Sequence, residues 1–76
     1  MKYLLSGGNH MTVIAKLRTK QGLMDAKEVA PLLDMNKEVL YRKAKAGLVP
    51  HFRILGQVKF DPVALAEWLE ERQVRP

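Results

Sequence analysis

Cysteine is absent from the sequence, which excludes disulfides and thiolate metal sites. In a chain of 76 residues this matters, because so small a domain often depends on such a staple. The absence also fits a reducing cytoplasm, the location expected for the protein. Long hydrophobic runs are missing as well. Met1-Lys2-Tyr3-Leu4-Leu5 is too short for a signal-peptide core and is cut off by Ser6-Gly7-Gly8. No segment has the apolar length to span a membrane, so a soluble protein with no membrane partner is expected. Low-complexity tracts and internal repeats are also lacking. Acidic residues are missing from two stretches: none precedes Asp25 and none lies between Glu38 and Asp61.

What is present suits one small globular domain: 47% hydrophobic and 28% charged residues around one modest core. Thirteen Lys and Arg against eight Asp and Glu give a net charge of +5. Arg42, Lys43, Lys45, Arg53 and Lys59 all fall in the acid-free stretch, while the acids collect in 25–38 and 61–71. Such segregation produces either a basic surface suited to a polyanion or a solvated basic face without a partner.

Residues 1–22 are punctuated by Gly7, Gly8 and Gly22, and Thr12 to Arg18 loosely alternates as a strand does. The segment reads as an N-terminal arm: a strand, a disordered basic tail or an added leader, with Met11 an alternative start. From Met24 onward the signals sharpen. Asp25-Ala26-Lys27-Glu28 is a capping box, with Met24 and Val29 at hydrophobic-staple positions. Ala26, Val29, Ala30 and Leu33 mark one helical face. Pro31 removes a hydrogen bond to Lys27, so a short, kinked helix ending near Leu33 is expected. Asn36 caps a second helix from Lys37 to about Ala46, stopped by Gly47. Val39, Leu40 and Ala44 point to the core and Lys37, Glu38, Tyr41, Arg42 and Lys45 to the other side. Two short capped helices joined by so few residues have helix-turn-helix spacing.

After Val49-Pro50 the period changes to two. A three-residue loop, Leu55-Gly56-Gln57, would pair Ile54 with Val58, Arg53 with Lys59 and Phe52 with Phe60, giving a hairpin with one apolar and one basic face. A two-residue loop would set Arg53 against Val58, so the pattern favours the longer one. Asp61-Pro62 starts a last helix that buries Leu65, Trp68 and Leu69 and ends near Arg72.

Residues 23–69 resemble the excisionase-like helix-turn-helix domains, a branch of the MerR-type winged-helix superfamily. The matching residues are Leu23, Glu28-Val29-Ala30, Leu33, Asn36 (commonly Ser in the family), Tyr41-Arg42, Gly47, Pro50, Arg53-Ile54, Gly56, Lys59, Phe60, Leu65 and Trp68-Leu69. The resemblance implies a mainly α fold with a small β-hairpin, a winged helix-turn-helix over residues 23–73. It further implies a recognition helix in the major groove and a wing against the backbone or minor groove. Glu38 and Val39 depart from the pattern, standing where relatives carry a basic residue and a Ser or Thr; Lys43 takes a position that is often aromatic.

The expected role is therefore sequence-specific binding of duplex DNA, by an excisionase lined up in several copies for an integrase or by a small regulator at a promoter. One domain this small offers little interface, so self-association on repeated sites is expected. Lys37, Glu38, Tyr41, Arg42, Lys45, Arg53 and Lys59 are the candidate DNA contacts. Arg42 matches guanine best, with a phosphate contact as its plainer role. Tyr41 is equally a core-edge residue, and Arg53 and Lys59 suit phosphates. Phe60 and Trp68 fall on buried-face spacing and read as core rather than base-stacking platforms. His10 and His51 have no partners at ligand spacing, so neither metal nor cofactor is expected. No nucleophile–base set, glycine-rich phosphate loop or carboxylate pair points to an enzyme. The reading from another class is a helix-turn-helix adaptor that binds protein, favoured by Glu38 and Val39 and opposed by the basic run from Arg42 to Lys59.

Overall fold

The computed structural model describes residues 13–74, in the order α1 (residues 13–19), β1 (Met24–Asp25), α2 (Ala26–Leu32), α3 (Lys37–Lys45), β2 (Phe52–Ile54), β3 (Gln57–Phe60) and α4 (Pro62–Glu71). His10 and the readings of residues 1–12 lie outside the described residues. The strand admitted over residues 12–18 gives way to α1, whose Ile14 and Leu17 lie on one helical face and are buried. The loose alternation there also satisfies helical spacing, and a core able to accept Ile14 and Leu17 decides between the two. Arg18 pairs with Glu70 of α4, and Lys20 Nζ meets Glu28 Oε2 of α2 at 3.2 Å. The packed unit thus reaches N-terminal of residue 23.

The helix-turn-helix is built from caps. Asp25 Oδ1 accepts from the Glu28 N–H at 3.0 Å while Glu28 Oε1 accepts from the Asp25 N–H at 3.3 Å, closing the expected capping box. Pro31 sits inside α2, which is 7 residues long and ends one residue before Leu33. The helix closes with a Schellman motif. The Asp34 N–H donates to Pro31 O and the Met35 N–H to Ala30 O, with Asp34 at φ 56°. Asn36 Oδ1 then accepts from the Val39 N–H at 2.8 Å and starts α3. The same motif ends α3: Gly47 at φ 78° donates to Ala44 O, and Leu48 donates to Lys43 O. Glycine fits there because a side chain at that φ would be strained.

The three strands form an antiparallel sheet in the order β1-β3-β2. β1 was not legible beforehand; Met24 pairs with Phe60 and Asp25 with Lys59. The hairpin register corrects the sequence reading. Phe52 opposes Lys59, Arg53 opposes Val58 and Ile54 opposes Gln57, so the loop is the two-residue pair Leu55-Gly56. Both residues have positive φ, 49° and 81°, the signature of a type I′ turn, whose twist matches that of the strands. Shortening the loop by one residue flips every side chain of β2. Phe52 and Ile54 consequently leave the core and are 50% and 43% exposed, while Arg53 shares a face with Val58.

The core joins all the helices to the sheet. Phe60, Leu17, Leu40, Leu65 and Val29 are its largest fully buried side chains, joined by Met24, Ala26, Ala30, Ala44, Val49 and Ala66. Burying each of the larger ones contributes about 1.5–3 kcal/mol. Val39, Leu33, Trp68 and Leu69, expected inside, are only half-buried. Trp68 lies at the rim with the Arg72 guanidinium carbon 4.4 Å from its ring centroid. In α4, Asp61 Oδ1 accepts from the Val63 N–H and Pro62 opens the first turn, as expected from the sequence. Among the described residues no polar or charged side chain is buried. No helix among them is long and apolar enough to cross a membrane.

Candidate nucleic-acid interface

α3 buries Leu40 and Ala44 against the core, and that fixes where the rest of its residues go. Lys37, Tyr41 and Lys45 follow one another at four-residue intervals along one flank. Glu38 and Arg42, also one turn apart, form the row that points farthest from Leu40 and Ala44. All five are exposed. Glu38 stands in the first turn, where the partial positive charge of the helix end favours an acid; Arg42, Lys43 and Lys45 occupy the last turn, where cations are favoured.

A furrow separates α3 from the hairpin. It is lined by Tyr41 and Lys45 of α3, by Asp25 of β1, and by Arg53, Val58 and Lys59 of the hairpin. The corrected register is what brings Arg53 to the α3 side, since it faces the same way as Val58. A phenolic hydroxyl, an ammonium and a guanidinium thus border one groove, a donor set matched to phosphate oxygens. Lys59 is oriented differently. It alternates with Val58 in β3 and opposes Phe52 on one side and Asp25 on the other. The expected face carrying Arg53 and Lys59 together does not form.

The ion pairs among the described residues are Arg18–Glu70, Lys20–Glu28 and Arg72–Glu71. None involves Lys37, Arg42, Lys45, Arg53 or Lys59, so these cations of α3 and the hairpin are not held in ion pairs. The paired cations are instead Arg18 on α1, Lys20 just after it and Arg72 at the C-cap of α4, none of which lines the furrow.

Phe60 is fully buried and one face of the Trp68 ring is covered by Arg72, which suits core and rim roles rather than base stacking. His51 Nδ1 lies 3.0 Å from Val49 O and its ring stands 6.5 Å from that of Phe60. Among the described residues no cluster of three or more His, Asp or Glu side chains could hold a metal ion. One residue of this surface was missed in the sequence: Leu55, assigned only to the loop, is 98% exposed at the hairpin tip. Its signal was the Leu-Gly pair between two alternating segments, which is compatible with a two-residue turn.

A family model described as a helix-turn-helix domain matches residues 23–73. No curated protein and no solved structure shows significant similarity to the chain.

Proposed function

We infer the function from one premise: the chain belongs to the helix-turn-helix domain family, a DNA-binding family. On that premise the protein binds duplex DNA sequence-specifically, as an excisionase or a small transcriptional regulator, and has no catalytic activity of its own. α3 enters the major groove, where Glu38 and Arg42 face base edges. Lys37, Tyr41 and Lys45 run along the groove wall, and the hairpin follows the phosphate backbone. The observation that carries this reading is the furrow between α3 and the hairpin, where Tyr41, Lys45 and Arg53 converge and neither cation is held in an ion pair. A phosphate seated there would hold α3 in register while bases are read beside it. Because a single small domain reads few base pairs, several copies act on adjacent sites, and an integrase is the expected partner in the excisionase case.

Fluorescence anisotropy with a random 30-base-pair duplex at low salt, followed by selection from a randomised pool, tests the reading. Binding that weakens steeply with salt and enriches one sequence supports it. Absence of binding at low salt favours the adaptor reading, whose specific support is the outward carboxylate of Glu38 on the face that would meet DNA.

A further inference from the structure

Leu55 is placed where a leucine gains nothing from its own fold. It is 98% exposed, so its side chain contributes no burial, and it holds φ 49° in the left-handed region. A type I′ turn favours Asn, Asp or Gly at this position, and a leucine there is strained. A lone exposed leucine is ordinary on any protein surface. One that is also held in an unfavourable backbone conformation, at the outermost point of a hairpin, calls for a partner outside the domain.

The surroundings identify the partner's chemistry. Arg53 lies two residues before Leu55 and borders the furrow with Lys45 and Tyr41. If Arg53 holds a phosphate, Leu55 extends roughly 7 Å farther along the strand direction, past the backbone. With α3 in the major groove, the groove reached by crossing that backbone is the minor groove. Apolar side chains entering a minor groove act as wedges that part a base step and kink the duplex. We propose that Leu55 is such a wedge: it inserts between base pairs from the minor groove and bends the DNA while α3 holds the neighbouring major groove. The proposal rests on the DNA-binding reading above and adds to it a distortion and the residue responsible.

The test uses the full chain and a 30-base-pair duplex with TA steps one helical turn apart, which unstack readily. 2-Aminopurine is placed at those steps and a fluorophore pair at the duplex ends. The wild-type protein is expected to raise 2-aminopurine emission and shorten the end-to-end distance. Leu55→Asn, which supplies the residue the turn prefers, is expected to melt about 5 °C higher. It should still bind, roughly fivefold more weakly, a loss in the range expected for one contact, and should lose both distortion signals. Leu55→Met should keep them. A Leu55→Asn variant that bends and unstacks the duplex as the wild type does overturns the wedge and leaves DNA binding standing. Failure of the wild-type protein to bind at low salt overturns both. Self-association without DNA that disappears in Leu55→Asn would show that the leucine contacts a second copy, which also overturns the wedge.

Discussion

Arg53 and Lys59, the two cations of the hairpin, point to opposite faces of it: Arg53 opposes Val58, and Lys59 opposes Phe52. Both border the furrow with Tyr41 and Lys45, Arg53 from the face it shares with Val58 and Lys59 from its place opposite Asp25 of β1. The two should contribute unequally to DNA binding. Arg53→Ala is expected to weaken binding to cognate and random duplex alike and to lower the slope of log affinity against log salt by about one unit. Lys59→Ala should lower the slope by less, because Lys59 is half-buried and leaves from the other face of the hairpin, whereas Arg53 is exposed. Salt titrations of both variants on the same duplex check this; equal slopes would mean that the two cations meet phosphates equivalently.

Leu17 is 1% exposed, although it precedes the segment matched by the family model. Together with Ile14 it belongs to the one buried cluster that also holds residues of α2, α3 and α4. Leu17→Ala should therefore cost about 2–5 kcal/mol in a urea melt, the range for emptying a buried leucine site. If α1 were a dispensable appendage, the variant would melt as the wild type does.

The parts of the fold that were legible in the sequence are those governed by local chemistry. Asp25 with Glu28, Asn36, Gly47 and Asp61-Pro62 each fix a helix end through bonds to nearby residues, and all of these caps form. The hairpin register was misread because side-chain alternation gave Phe52 and Ile54 to the core, while the backbone settled into a two-residue turn at Leu55-Gly56 that no burial pattern reveals. β1 escaped notice because Met24 and Asp25 were already explained as staple and cap; the pairing with β3 depends on residues more than thirty positions away. The α3 candidates Lys37, Glu38, Tyr41, Arg42 and Lys45 are exposed as the helical period requires. The furrow that joins two of them to Arg53 needed the register, and so could not be read from the sequence.

Phe60 and Trp68 looked alike in the sequence and differ in the fold. Phe60 is fully buried at the centre of the core, while Trp68 is half-buried at its rim under Arg72. Phe60→Ala should cost about 3–5 kcal/mol, enough to unfold a domain of this size. Trp68→Ala should cost clearly less, since part of its surface is already in water. Chemical denaturation of the two variants gives the comparison; equal losses would place Trp68 deeper than its exposure indicates.

Glu38 is the carboxylate on the outward row of α3, one turn before Arg42 and in the first turn of the helix. Its simplest role is local: an acid there interacts favourably with the helix dipole, worth about 0.3–1 kcal/mol when exposed. The same turn is where a recognition helix meets base edges. In that setting a carboxylate repels phosphates on any sequence and accepts a hydrogen bond from the N4 amino group of cytosine on the right one. Glu38→Gln keeps the shape and removes the charge. It should raise affinity for random duplex, lower it for the selected site, and so narrow the ratio between the two by roughly tenfold, one base contact being worth about 1–3 kcal/mol. Both duplexes should be titrated at one salt concentration, with a melting curve for the variant. A lower melting temperature with an unchanged ratio would leave Glu38 only its part in stabilising the helix.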